Sequence, residues 1–170
     1  MTAAILHLIS GLPCSGKSTY ALRLRNQRDA VLLSLDHWLI TSFGRYPVDV
    51  VGHDEHLRRV YACRELIWGV AAEFLSRRCE VILDDGFFLR GDREYHVGLA
   101  RDLGAATAIH FVDTPAHVLR QRLVERNRDP GEFQFSIAPA ALAGYTAIFE
   151  RPSADEGAEL VNVSGAPRTD

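Results

Sequence analysis

The only lysine in the chain, Lys17, stands in Gly11-Leu12-Pro13-Cys14-Ser15-Gly16-Lys17-Ser18, a G-x-x-x-x-G-K-S spacing followed by Thr19. Successive backbone N–H groups of such a loop form an anion-binding nest, and the helix that follows adds its positive dipole end. The lysine then reaches the β- and γ-phosphates of a nucleoside triphosphate, and the Ser18 hydroxyl is a ligand for its magnesium ion. Pro13 and Cys14 occupy variable positions, and Cys14 reads as a small filler rather than a nucleophile. This chemistry needs a strand before the loop and a helix after it. The apolar run Ala4–Ile9 supplies the first, and Ser18–Gln27 the second, with Tyr20, Ala21 and Leu24 free to pack.

Two further groups of carboxylates follow apolar runs. Asp36 comes directly after Val31–Leu35, which puts it at the same sheet edge as the phosphate loop. There it can act as the general base that takes a proton from an attacking hydroxyl, or as the helix N-cap of His37-Trp38-Leu39. Asp84 and Asp85 end the run Glu80-Val81-Ile82-Leu83, an arrangement suited to supporting magnesium opposite the loop serine. Asp84 is the first choice for that role and Asp85 the second.

Arginines could neutralise the charge that spreads over a transferred phosphoryl group. Arg120, Arg122, Arg126 and Arg128 crowd one predicted helix and its exit, with Arg122 and Arg126 sharing a face; a solvated basic face is the alternative reading. Arg90 and Arg93, in an expected loop after Asp85, could reach substrate or phosphate. Trp38, Phe43, Tyr46, Phe87 and Phe88 could wall an acceptor pocket or fill the core. The pair His53 and His56 has a metal-like spacing but no further ligands beside it.

The elements that position these residues are strand-like runs at Ala4–Ile9, Val31–Leu35, Val81–Leu83, Ala108–Val112 and Leu160–Val163, with helical patterns between most of them. Such βα alternation implies a parallel sheet covered by helices on both faces, with ligands at the carboxyl ends of the strands. The longest helical pattern is Leu57–Arg77, and Ser42–His56 reads as a loop arching over the ligand edge.

At 170 residues, one domain over 1–163 is expected, with a lid at about 115–136 and a tail at 164–170. The net charge of −3 disfavours a long nucleic-acid partner. Three cysteines without C-x-x-C spacing argue against a disulfide framework or a zinc site. No apolar stretch approaches the roughly 20 residues that a membrane span needs, and the opening run leads straight into the phosphate loop, so a cytoplasmic location is expected.

Taken in order, Gly11–Thr19, Asp36, Asp84, Arg120–Arg126, and Phe149-Glu150-Arg151-Pro152 with Asp155-Glu156 resemble the small P-loop kinases of the zeta toxin, chloramphenicol phosphotransferase and polynucleotide kinase-like group, an AAA-type ATP-binding domain family. The resemblance implies a three-layer α/β P-loop NTPase fold whose five-stranded parallel sheet has the order 2-3-1-4-5. It also implies magnesium-dependent transfer of the γ-phosphoryl of ATP, GTP remaining open, to a hydroxyl of a small molecule such as an antibiotic, nucleoside or sugar. Asp36 matches the base, Asp84 the metal support, and Arg122 and Arg126 the phosphate clamps, with Trp38, Asp85, Arg90 and Arg93 as candidate substrate contacts. Polynucleotide kinases of the group embed the base in Asp-Asp-x-Arg, whereas this chain has Leu35-Asp36-His37-Trp38-Leu39. A polynucleotide or tRNA-end kinase and a nucleotide-gated, toxin-like binding module are the alternative functions.

Overall fold

Each apolar run becomes a strand of one parallel sheet, because branched side chains on consecutive positions can be buried on both faces only between two layers of helices. In the computed structural model, which describes residues 3–165, the elements run β1 Ile5–Ser10, α1 Lys17–Arg28, β2 Val31–Ser34, α2 Leu35–Phe43, α3 Val48–Val51, α4 His53–Ser76, β3 Val81–Gly86, α5 Arg90–Asp102, β4 Ala106–Asp113, α6 Ala116–Arg128, α7 Pro139–Ile148 and β5 Glu159–Ser164. The sheet order is β2-β3-β1-β4-β5, all pairings being parallel. This is the P-loop NTPase fold with the expected strand order.

Alternation along the strands sorts side chains between two cores. Leu6, Leu8, Leu33, Val81 and Leu83 face the α2, α4 and α5 side, where α4 presents Val60, Cys63, Ile67, Ala71 and Leu75 at helical spacing. Burying a side chain such as Ile67 or Leu75 contributes about 1.5–3 kcal/mol each. Ile9, Ile82 and Val112 face α1 and pack on Ala21 and Leu24. A third cluster, Leu119, Leu123 and Leu142, joins α6 to α7 and takes Leu12 and Cys14 of the phosphate loop against it.

Several boundaries differ from the sequence expectations. β3 continues through Asp84 and Asp85 to Gly86, since partners on both sides keep the ladder going past the last apolar residue. Leu35 opens α2 instead of closing β2. The supposed loop 42–56 holds the end of α2, the single turn α3 and the start of α4. Asp54 and Glu55 favour that earlier start of α4 by lying in its first turn, and Glu55 also pairs with Arg58 and Arg59. Arg90 and Arg93 belong to α5 rather than a loop. Ser164, expected to begin the tail, ends β5, while 166–170 lie outside the described residues.

The α1 side of the sheet carries a buried polar chain. Tyr20 donates its hydroxyl proton to His110 Nδ1 at 2.8 Å, His110 Nε2 and His7 Nδ1 are 2.9 Å apart, and His7 Nε2 meets Glu80 at 3.1 Å. One proton assignment satisfies every link: His110 donates to His7, and His7 to Glu80, both rings neutral. A further proton on His7 Nδ1 would oppose the N–H of His110. Desolvation by burial, then the neighbouring His7, push His110 down to about 4 from the ordinary 6.5, and His7 is lowered mainly by burial.

The unfolded chain therefore binds more protons between those values, so stability is fully present above pH 6.5 and is lost as the pH falls toward 4. Urea unfolding at pH 7.5 and 5 should show a loss of about 2 kcal/mol attributable to His110. The His110→Gln variant should flatten that pH dependence; an unchanged slope would show that the chain does not titrate in this window.

Candidate functional site

The backbone shapes the phosphate loop before any side chain takes part. Gly11, Cys14 and Gly16 have φ of 153°, 65° and 95°, and the left-handed turn at Cys14 costs about 1–2 kcal/mol for a residue with a Cβ. A Cβ on Gly11 would stand 2.9 Å from both Ser15 Oγ and Val112 O, so only glycine fits there. The loop's carbonyls are tied back from outside: Thr114 Oγ1 donates to Ser15 O at 2.9 Å, and Arg122 Nη1 donates to Ser15 O at 3.2 Å and Cys14 O at 3.4 Å.

The start of α1 is left open. Gly16 is its N-cap, no side chain caps it, and no acidic residue lies in its first turn. Its first amides thus lack intrahelical partners and point at the cradle. Ser15 Oγ is a buried polar atom without a partner. A cradle with unpaired donors and an orphaned hydroxyl fits a phosphate group.

Lys17 opens α1 and donates to Leu12 O at 2.8 Å. Burial lowers its pKa, with Asp84 and Asp36 pulling the other way. Ser18 and Thr19 follow it, both exposed in the first turn.

Strand alternation decides between the two aspartates of β3. Asp84 lies on the α1 face with Ile82, where burial raises its pKa while Lys17 and the Ser18 hydroxyl counter the rise. Asp85 lies on the opposite face and is gripped by Arg64 of α4 in a bidentate pair at 2.7 and 2.8 Å. Parallel pairing reinforces the distinction, because the β1–β3 register skips from Ile9↔Asp84 to Ser10↔Gly86. Among the described residues no three His, Cys, Asp or Glu side chains form a metal cluster. A Ser18–Asp84 donor set suits magnesium, which keeps waters and phosphate oxygens as its other ligands.

Asp36 sits in the first turn of α2; the N-cap is Ser34, and no side chain bonds the helix start, which corrects the capping reading. Its side chain keeps 48% of its surface open, yet the surrounding cleft withholds enough water to push its pKa up to about 6, Arg126 opposing and Asp84 adding to the rise. Arg126 Nη2 is 4.0 Å from Asp36 Oδ2, and its Nε donates to Phe135 O at 3.0 Å. Lys17, Asp36, Asp84, Arg122 and Arg126 therefore converge around the exits of β1, β2 and β3.

The remaining candidates lie elsewhere. Arg93 is fully buried against Glu156, and Arg90 is held by Glu94 and Asp155, so both guanidinium groups are engaged within the protein. Trp38 packs half-buried against the main core. His56 accepts or donates at Tyr46 OH, 3.1 Å away, which assigns it a partner other than a metal. Phe133 stacks on His37 at 3.9 Å, and Phe135 meets Tyr46 edge-on at 5.2 Å. These contacts fold the segment after α6 over α2, and no local pattern marks either phenylalanine in the sequence.

Comparison with known proteins agrees with the fold. Residues 6–152 match the AAA domain family. No match is found among curated proteins. Among solved structures the chain is similar to a candidate kinase from Chloroflexus aurantiacus J-10-fl, at 20% identity and TM-score 0.77 over 96% of this chain and 86% of that one. It is also similar to Chaetomium thermophilum Kti12 in complex with ADP-AlF3, at 16% identity and TM-score 0.68 over 94% and 88%. A gluconokinase from Sinorhizobium meliloti 1021 follows at 18% identity and TM-score 0.56 over 97% and 83%. At these identities the shared property is the fold.

The two β3 aspartates should separate on substitution. Asp84→Asn is expected to weaken magnesium-dependent nucleotide binding by about tenfold or more, read by calorimetry, with little change in thermal unfolding. Asp85→Asn should instead lower the unfolding temperature by leaving Arg64 short of its partner, with nucleotide binding retained; the reverse pattern would overturn the facial assignment.

Proposed function

Because the chain belongs to the AAA domain family, we propose that it is a P-loop kinase, moving the γ-phosphoryl group of ATP to a hydroxyl of a small antibiotic, nucleoside or sugar-like molecule with magnesium as cofactor. The observation that carries this reading is the placement of Asp36 two residues past Ser34, which pairs with Asp84, itself paired with Ile9 just before the phosphate loop, so that one sheet edge carries all three. A carboxylate poised there is a base beside a phosphate cradle.

In this mechanism the amides at the start of α1 and the Lys17 ammonium hold the β- and γ-phosphates. Ser18 and Asp84 would hold magnesium, whose charge would offset that of the phosphates. Asp36 orients the acceptor hydroxyl and takes its proton as the oxygen forms a bond to the γ-phosphorus and the bond to the β-phosphate oxygen breaks. Arg126, from its position beside Asp36, would neutralise the charge of the transferring group, while Arg122, expected from the sequence to share that task, braces the loop carbonyls from behind. The Kti12 neighbour, solved with ADP-AlF3, supports the nucleotide.

A small acceptor is favoured over a nucleic-acid end. Arg45, Arg59 and Arg64 are engaged by the Gly131 and Glu132 carbonyls, by Glu55 and by Asp85, which leaves them poorly placed to track a phosphodiester backbone.

An ATP-consumption screen over hydroxylated metabolites, antibiotics and oligonucleotide ends, with Lys17→Ala as blank, tests the reading. It fails if no acceptor stimulates turnover above the blank. With the acceptor found, kcat/KM should fall about tenfold per pH unit below the Asp36 pKa of about 6 and level off above it, since the base works only when deprotonated. Asp36→Asn should remove that limb along with most of the activity.

A further inference from the structure

Among the described residues, the most enclosed ion pair lies outside the phosphate loop. Arg93 of α5 and Glu156 form a bidentate pair at 2.6 and 2.8 Å, both side chains at 0% exposure. Arg93 also donates through Nη1 to Phe87 O at 3.0 Å and Phe88 O at 3.3 Å. These two carbonyls belong to the turn that leaves β3, where Gly86 and Phe87 adopt left-handed φ of 92° and 41°. An aromatic residue resists that conformation unless its surroundings impose it.

The same turn braces the phosphate loop. Gly86 O accepts the N–H of Gly11 at 3.1 Å, and Phe87 O accepts a second bond, from Ser10 Oγ, at 3.1 Å. Glu150 N–H donates to Phe88 O at 2.9 Å, and Glu156 accepts the N–H of Ser153 at 3.0 Å. One buried ion pair thus ties the exits of β1 and β3 to α5 and to the segment before β5. A buried pair is a poor source of net stability compared with apolar residues of similar size. What it supplies here is direction: donors aimed at consecutive carbonyls that the left-handed turn points inward.

We propose that Arg93, held by Glu156, is a positioning residue for nucleotide binding: by fixing the Gly86–Phe88 turn it holds Gly11 and the phosphate cradle in their binding geometry without touching a ligand. This rests on the nucleotide-binding part of the reading above and adds a determinant outside the cleft.

Removing one partner would leave a buried unpaired charge and unfold the protein, so the test uses the apolar double variant Arg93→Met with Glu156→Leu, which keeps the core filled. Two readouts are taken on protein whose cooperative unfolding is verified. Amide hydrogen exchange of the nucleotide-free chain should show the Gly11–Lys17 and Gly86–Phe88 segments opening about tenfold faster or more, while α4 is unchanged. Calorimetry with magnesium and ATP should show affinity reduced by about tenfold or more.

A folded double variant with wild-type exchange in both segments and unchanged ATP affinity would overturn the proposal. If the wild type takes up no nucleotide, the kinase reading fails while exchange still decides whether Arg93 holds the loop. Should the double variant fail to fold, Glu156→Asp keeps both charges but shortens the reach to Arg93. It should then raise loop exchange and weaken ATP binding in the same direction, and wild-type behaviour in both would equally refute the role.

Discussion

The hydrogen bond from Gly11 N–H to Gly86 O, 3.1 Å long, joins the ends of the two strands on which the whole site is hung. A phosphate cradle functions by keeping backbone amides unpaired and aimed at one point, a state that a free chain would collapse by bonding to itself. The protein prevents that collapse by satisfying the neighbouring carbonyls from outside, through Thr114 and Arg122, and by anchoring Gly11 to the next strand. Gly11 must then be a glycine, since a Cβ would strike Val112 O and Ser15 Oγ at 2.9 Å.

From this anchor the parallel sheet distributes the chemistry. Strands β1, β2 and β3 run the same way and end at one edge, so the residues that follow or close them meet there although they are far apart in the chain. Lys17, Asp36 and Asp84 form a mixed-charge cluster in which both carboxylates hold up the lysine's pKa, the lysine lowers theirs, and Asp84 raises that of Asp36. α6 comes over the same edge and brings Arg122 behind the loop and Arg126 beside Asp36. The same helix thus braces the loop with one arginine and faces Asp36 with another, whose other contact is the carbonyl of Phe135.

Charged residues outside this edge serve the scaffold. Arg93 and Arg90, which the sequence places close enough to Asp85 to suggest substrate contacts, turn back into the protein toward Glu156 and Asp155. Asp85 similarly finds Arg64, 21 residues earlier in the chain. In each case a long-range partner claims the side chain, and a partner of that kind leaves no local mark in the sequence.

The phosphate loop, the five apolar runs and their alternation with helices were legible in the sequence alone, because they rest on local rules: fixed glycine positions, runs long enough for a buried strand, and helical periodicity. The strand order came with the family resemblance rather than with any one residue. Tertiary structure alone decided which aspartate of β3 faces Ser18, since a run apolar on both faces does not reveal which face α1 will cover. It also decided that Asp36 stands in a helical turn rather than at its cap, and that Arg93 is a buried strut. Those outcomes depend on which side chains other segments bring within reach, and that is a property of packing rather than of spacing along the chain.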